Sequence, residues 1–296
     1  MTTLYQHTSD LLGAHVSIQG GVHTAPERAT LIGATAIQVF TKTPNQWREP
    51  VITADEGVRF RQELRRTGLR AVVAHDSYLI NLASPDQTLR ARSIAAFVAE
   101  LRRCEMLGIR AVVSHPGNYI DDRQAGLRRN AEAYAECLEA VPGGVMVLLE
   151  GTAGTGTALG SRFEELAQLR AGIPAPHRKR VGFCVDTCHL YSAGYDLVRD
   201  YDAVWQRWDD TIGLQHLHCV HLNDSKTPFG SRRDRHELIG EGSLGPAPFR
   251  RLMTDPRFGK VIKVLETPKG NDLVSFDRRM LRRLRGYARG SRSSAR

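Results

Sequence analysis

The chain has 296 residues, 41% hydrophobic and 25% charged, which supports a sizeable core with no need of disulfides or a structural metal. Its formal net charge of +9, from 41 Lys+Arg against 32 Asp+Glu, suits a polyanionic partner such as nucleic acid, though a basic balance also serves plain solubility. The polar start Met1–Ser9 holds no signal-peptide core, and no apolar run approaches the ~20 residues of a membrane helix, so a cytoplasmic protein without membrane contact is expected.

From residue 12 onward, short apolar runs alternate with longer amphipathic stretches. The runs cover 12–17, 36–40, 70–75, 110–115, 145–150, 181–186, 218–223 and 261–266. After the third run, Ser84 reads as an N-cap, Pro85 as the first helical residue and Gln87 as the partner in a capping box. Leu89, Ile94, Phe97, Val98, Leu101 and Cys104 then share one helical face, and Gly108 ends the helix. A second helix carries Leu127, Ala131, Tyr134 and Leu138 and stops at Pro142-Gly143-Gly144. The stretch from Glu150 to Gly156 lacks the Gly-Lys-Ser/Thr of a phosphate-binding loop and reads as a flexible βα loop. Runs apolar on both faces, each followed by a helix-length segment, predict a single-domain α/β (β/α)8 TIM barrel. Its core would cover about 12–288, with a basic tail at 289–296; a doubly wound sheet is the alternative.

The runs end in His75, His115, Glu150, Asp186 and Glu266, and the seventh carries His221 near its end. Each is about one βα unit from the next, so a barrel would bring six metal-ligand side chains to one level of its C-terminal face. Residues two positions earlier, Val73, Val113, Leu148, Cys184, Cys219 and Val264, would point inward one layer below. Three carboxylates and three imidazoles gathered without cations would strain one another, and metal ions relieve that. Asp186 and His189, the latter in the turn leaving its strand, could alone be a salt bridge. His189 with Asp234 and His236 suggests a further three-ligand site with an open position, as in catalytic zinc centres. Asp234 could instead pair with Arg232, Arg233 or Arg235 in its loop. Five scattered cysteines without a CxxC pair read as buried thiols in a reducing compartment.

These residues lie in segments that closely resemble the endonuclease IV family of apurinic/apyrimidinic endonucleases. The segments are HDSYLINL at 75–82, SHPG at 114–117, EGTAG at 150–154, VDTCH at 185–189, AGYD at 193–196, HLND at 221–224, GSRRDRH at 230–236 and LET at 265–267. The resemblance implies a zinc-dependent TIM barrel, most simply a monomer, that cuts double-stranded DNA 5′ to an abasic site and leaves a 3′-hydroxyl and a 5′-deoxyribose phosphate. It assigns His75, His115 and Glu150 to one zinc, with Glu150 bridging to a second completed by Asp186, His221 and Glu266. His189, Asp234 and His236 would hold the third. Manganese can occupy such His/carboxylate sites as well. Bound metal lowers the pKa of water to ~7, so a metal-activated hydroxide is the expected nucleophile, held by the catalytic carboxylates Glu150, Asp186 and Glu266.

Tyr78 and Leu79 resemble the family's wedge beside a flipped abasic nucleotide. The loop after the second run, with Lys42, Asn45, Gln46 and Trp47, would face them, and Lys42, Arg232, Arg233 and Arg235 are candidate phosphate contacts. Asn45 stands where some members place an inserting Arg, and Gly151 where close relatives have Asn. His15 is a candidate pocket residue. A sugar isomerase or epimerase is the rival enzyme, against which His189, Asp234 and His236 count. A DNA-binding protein with structural metals is the rival of another class.

Overall fold

The computed structural model describes residues 10–293, and side chains up to residue 289. Met1–Ser9 and the last residues of the expected tail, 294–296, lie outside the described residues. In chain order the strands are β1 (Leu12–His15), β2 (Ala36–Phe40), β3 (Ala71–His75), β4 (Ala111–Ser114), β5 (Met146–Glu150), β6 (Val181–Asp186), β7 (Leu217–His221), the two short strands β8 (Asp224–Ser225) and β9 (His236–Glu237), and β10 (Ile262–Leu265). Eight of them close a parallel barrel in the order β1-β10-β7-β6-β5-β4-β3-β2, while β8 and β9 pair with each other in the loop after β7. This is the expected TIM barrel.

Inside it, Val73, Val113, Leu148, Cys184, Cys219 and Val264 are fully buried and form a cluster of their own. The alternation of side chains along a strand then places the residues two further on in the next layer, at the C-terminal mouth. That layer consists of His75, His115, Glu150, Asp186, His221 and Glu266. The larger core lies between barrel and helices, where Phe97, Leu101 and Cys104 meet Tyr134 and Leu138. The cysteines are all buried and free.

Three local expectations need correction. The helix Gln87–Leu107 is capped by Asp86, whose Oδ1 accepts from Thr88 N at 2.8 Å and Leu89 N at 3.0 Å. A charged carboxylate at a helix N-terminus outcompetes the hydroxyl of Ser84, which instead accepts from Asp86 N. Second, the loop after β5 is pinned rather than free at its base: Gly151 N donates to Cys184 O, and Thr152 is bonded by N to Gly160 O and by Oγ1 to Leu159 O. Third, the expected tail begins within a helix, Ser275–Ser293. Among the described residues no helix is long and apolar enough to cross a membrane.

Candidate metal centre

Glu150, the last residue of β5 and fully buried, is the hub of the barrel mouth. Its Oε2 lies 3.2 Å from His75 Nε2 and 3.0 Å from His115 Nε2. Its Oε1 lies 2.9 Å from His221 Nδ1 and 3.4 Å from His189 Nδ1. One carboxylate therefore faces imidazoles delivered by four different barrel strands or the segments that follow them. Burial alone would raise its pKa, but His221 and His115 hold it well below the usual carboxylate range. Glu266, one residue past β10, is likewise held low against its burial, chiefly by His221, whose Nδ1 is 3.2 Å from Glu266 Oε2.

Asp186 ends β6 and also begins the helix Thr187–Ala193, so His189 sits on a helical turn rather than in an open one. Asp186 Oδ1 caps that helix by accepting from Cys188 N at 2.6 Å and His189 N at 3.0 Å. Its Oδ2 accepts from Asn223 Nδ2 at 2.5 Å and lies 3.5 Å from His236 Nε2. His189 Nε2 is 3.1 Å from Asp234 Oδ2, and His236 Nε2 is 2.9 Å from Asp234 Oδ1. The Asp234 carboxylate thus turns to two histidines, while its carbonyl accepts from Arg235 Nη1 at 2.7 Å. The antiparallel pair β8–β9 makes this contact by carrying His236 back over the mouth.

The donor atoms form compact groups. Those of His75, His115 and Glu150 lie within 4.8 Å of one another, as do those of Glu150, Asp186, His221 and Glu266, and those of His189, Asp234 and His236. These are the same three groups expected from the sequence.

Four of the imidazoles are held from behind by neutral acceptors. His75 Nδ1 is 3.0 Å from Asp76 O, His189 Nδ1 2.9 Å from Gly151 O, and His236 Nδ1 3.2 Å from Glu266 O. His221 Nε2 is 2.8 Å from Gln38 Oε1. Each of the four thus donates one N–H to a neutral acceptor and turns its other nitrogen towards carboxylates, the tautomer control typical of metal-ligating histidines. His236 Nε2 is buried, lies 2.9 Å from Asp234 Oδ1 and 3.5 Å from Asp186 Oδ2, and has no well-aligned hydrogen-bond partner, so a cation there would satisfy it. Without ions, protons must balance the carboxylates. His75 and His236 are accordingly pushed up to about 9, burial opposing and Glu150 or the Asp186–Asp234 pair prevailing.

A model of the family described as a xylose isomerase-like TIM barrel matches residues 26–284. A relative from Geobacter sulfurreducens named probable endonuclease 4 is 48% identical over 285 residues, covering 95% of each chain. Another of that name, from Chloroflexus aurantiacus, is 48% identical over 284 residues, 94% of this chain and 98% of the relative. The crystal structure of endonuclease IV from Thermus thermophilus matches with a TM-score of 0.84 at 35% identity, covering 94% of this chain and 99% of that one. The chain belongs to the endonuclease 4 family. A D-tagatose 3-epimerase-like protein, at 17% identity and a TM-score of 0.69, shares the barrel alone.

Around the centre of this endonuclease 4 family member, the loops place the other candidates unequally. Tyr78 is 68% exposed, its ring 5.3 Å from that of Phe40, and Leu79 beside it is half-buried. Asn45 and Gln46 are exposed, and Trp47 is half-buried under the guanidinium of Arg92 at 4.4 Å. Arg232, Arg233 and Arg235 are exposed on the loop before β9. Lys42 is a correction: it is buried, its ammonium 2.6 Å from Glu49 Oε1 and 2.7 Å from Gln46 O, so it braces its loop instead of facing phosphate. Nothing in the space around Gly151 demands glycine, because a Cβ there would meet no atom closer than 3.8 Å.

Three buried polar residues of the site escaped the sequence reading. Gln38 ties the centre together, its Nε2 donating to Glu266 Oε1 at 2.5 Å and sitting 3.0 Å from His15 Nδ1. Asn223 positions two ligands, donating to Asp186 and accepting from Glu266 N through Oδ1 at 2.9 Å. Asp76 supplies the carbonyl for His75, while its carboxylate accepts from Ser114 Oγ at 2.6 Å. The available signal was a polar side chain inside an apolar run for Gln38, and the residue beside a ligand for Asp76.

Proposed function

We propose that this protein is a DNA-repair hydrolase that cuts the phosphodiester bond 5′ to an abasic site in double-stranded DNA, leaving a 3′-hydroxyl and a 5′-deoxyribose phosphate. The observation that carries the reading is the set of imidazoles whose far nitrogens are fixed by neutral acceptors while their near nitrogens converge on carboxylates. Relatives named endonuclease 4 supply the class of reaction.

The donor set fits three ions of zinc, or manganese at some positions: nitrogen and oxygen ligands only, in groups of three or four. His75, His115 and Glu150 would hold one, Glu150, Asp186, His221 and Glu266 a second, and His189, Asp234 and His236 a third. When bound, these ions supply Lewis acidity at the phosphate and make water acidic enough to react near neutral pH. The protein's own part is to fix the ligands and orient the reactants. Glu150 is wholly buried and so serves as the rigid link between two groups, whereas Glu266, 19% exposed in its side chain, is the carboxylate that reaches an incoming water. Asp234, 45% exposed in its side chain, puts the third group on the open side, where a departing 3′ oxygen can be met. Exposed Arg232, Arg233 and Arg235 offer charge to the phosphate backbone, and Tyr78 and Leu79 an apolar edge to the gap left by a missing base.

Incision of a duplex carrying one abasic analogue tests this directly. The expected result is metal-dependent cutting whose upstream fragment a polymerase can extend. Fully metallated protein that binds the duplex tightly and leaves it intact would instead support a binding protein with structural metals.

A further inference from the structure

Ile120 holds a conformation that its side chain disfavours. It has φ +62° and is 61% exposed, in the loop between β4 and the helix Arg123–Ala140. Asp121 N donates to Tyr119 O at 2.7 Å across it, which makes the three residues a γ-turn of the rare, strained hand. A β-branched residue is among the poorest choices there, and asparagine or glycine would be relaxed. An exposed apolar side chain gains nothing from water in return.

The surroundings are built to hold this turn. Arg129 Nη2 donates to Tyr119 O at 3.1 Å and to Asp121 Oδ1 at 2.5 Å, Nη1 donates to Asp121 Oδ2 at 3.1 Å, and Nε donates to Ala83 O at 2.8 Å. Tyr119 packs so closely on Gly126 that a Cβ there would come within 2.3 Å of the Tyr119 Cβ. Asn118 N donates to Asn81 Oδ1 at 2.9 Å, and Asn81 Nδ2 donates back to Asn118 O at 3.0 Å. One guanidinium therefore fixes both the strained turn and the loop that carries Tyr78 and Leu79. Ile120 is five positions along the chain from His115, so the two lie at most about 18 Å apart. This βα loop follows β4 and so opens on the same end of the barrel as the metal centre, the end that a duplex bound at that centre would face.

We propose that Ile120 is an apolar contact to the DNA duplex beside the lesion, held ready in a strained turn by Arg129 as a positioning residue. The inference rests on the proposed function for its partner. Strain at an exposed site that the fold stabilises from several sides is the pattern of pre-organisation for binding. Sugar edges and base steps of the minor groove are the surface that takes such apolar side chains.

The test compares Ile120→Asn, which removes both strain and apolar surface, with Ile120→Met, which keeps the surface. Fluorescence anisotropy reads binding to a duplex with one abasic analogue and to its undamaged counterpart, alongside thermal melting and metal content. Ile120→Asn is expected to melt about 2 °C higher and to retain its metal. It should bind the abasic duplex about tenfold more weakly, while Ile120→Met stays within about twofold of wild type. Arg129→Leu should weaken binding in the wild-type background and add little to Ile120→Asn, since the two act through one contact. Wild-type affinity in Ile120→Asn overturns the proposal, and a lowered melting temperature removes the strain argument. A wild-type protein that binds both duplexes but cuts neither sinks the proposed function alone, because the affinity comparison still decides the role of Ile120. One that binds neither removes both.

Discussion

Removing the metals should make stability depend on pH in a way the loaded protein does not. Without ions, His75 and His236 are pushed up to about 9 by the carboxylates around them. Unfolded, each would titrate near ~6.5. A folded pKa above the unfolded one gives stability that is complete below pH ~6.5 and is lost as the pH rises through ~9. The displacement corresponds to about 3 kcal/mol for each imidazole and about 6 kcal/mol for the two, and at about 2–4 °C per kcal/mol the chelated protein should melt roughly 12–24 °C lower at pH 9 than at pH 6.5. The loaded protein should hold its melting temperature or gain over the same window, because metal ligation requires neutral imidazole and releases the protons. Lys263, whose burial lowers its pKa to about 8, titrates in this window too, but it does so in both forms and cancels from the comparison. Calorimetric melting of chelated and reconstituted protein at the two pH values reads the difference. Parallel behaviour of the two forms would show that protons do not stand in for metal in this cluster.

Further perturbations address separate parts of the reading. His236→Ala removes the ring that meets Asp234 at 2.9 Å, so bound metal should fall by about one ion and incision by at least ~100-fold, with the circular dichroism spectrum unchanged. Near-normal incision by that variant would take the third group out of the reaction. DNA affinity should fall by about 10³ between ~50 and ~200 mM salt if roughly six phosphates are neutralised, and a flat salt response would count against the exposed Arg232, Arg233 and Arg235 as contacts. Arg103→Leu strands Glu100, 1% exposed in its side chain and 2.6 Å from the guanidinium, so urea unfolding should show a loss of about 3 kcal/mol. Much of that should return in Arg103→Leu/Glu100→Leu, and a double variant no better than the single one would refute the account.

The barrel was legible because its strands are apolar on both faces and end in ligand-type residues at one repeat length. Strand ends in register followed from that period alone, as the buried layer from Val73 to Val264 confirms. Other features were decided by tertiary contacts that leave no periodic trace. Asp86 rather than Ser84 caps its helix because a carboxylate one residue from the first turn reaches two amides at once. Lys42 looked like a surface cation, but Glu49 returns along the same loop and draws it inward, while Arg103 reaches Glu49 Oε2 at 2.5 Å from a neighbouring helix. Gln38 resembled a polar interruption of a strand, and Asn223 merely the end of an apolar run. Their roles depend on partners from 23 to 228 residues away, which a single sequence does not pair.

Asp186 and His189 show why backbone geometry matters to the chemistry as well as the fold. A carboxylate that ends a strand and caps a helix has one oxygen committed to backbone amides, here Cys188 N and His189 N. Only Oδ2 remains, already steadied by Asn223, and it lies 4.0 Å from His221 Nδ1 and 3.5 Å from His236 Nε2. That oxygen therefore stands between the buried group built on Glu150 and the open group built on Asp234. The capped turn, meanwhile, sends His189 across to Asp234, with Gly151 O fixing its ring. A longer or uncapped turn would free the wrong oxygen and aim His189 elsewhere. The strand-to-helix junction at 186–189 is accordingly what sets the buried group and the open group at a fixed separation, the arrangement that the proposed reaction would need to activate water on one side of a phosphate and stabilise the leaving oxygen on the other.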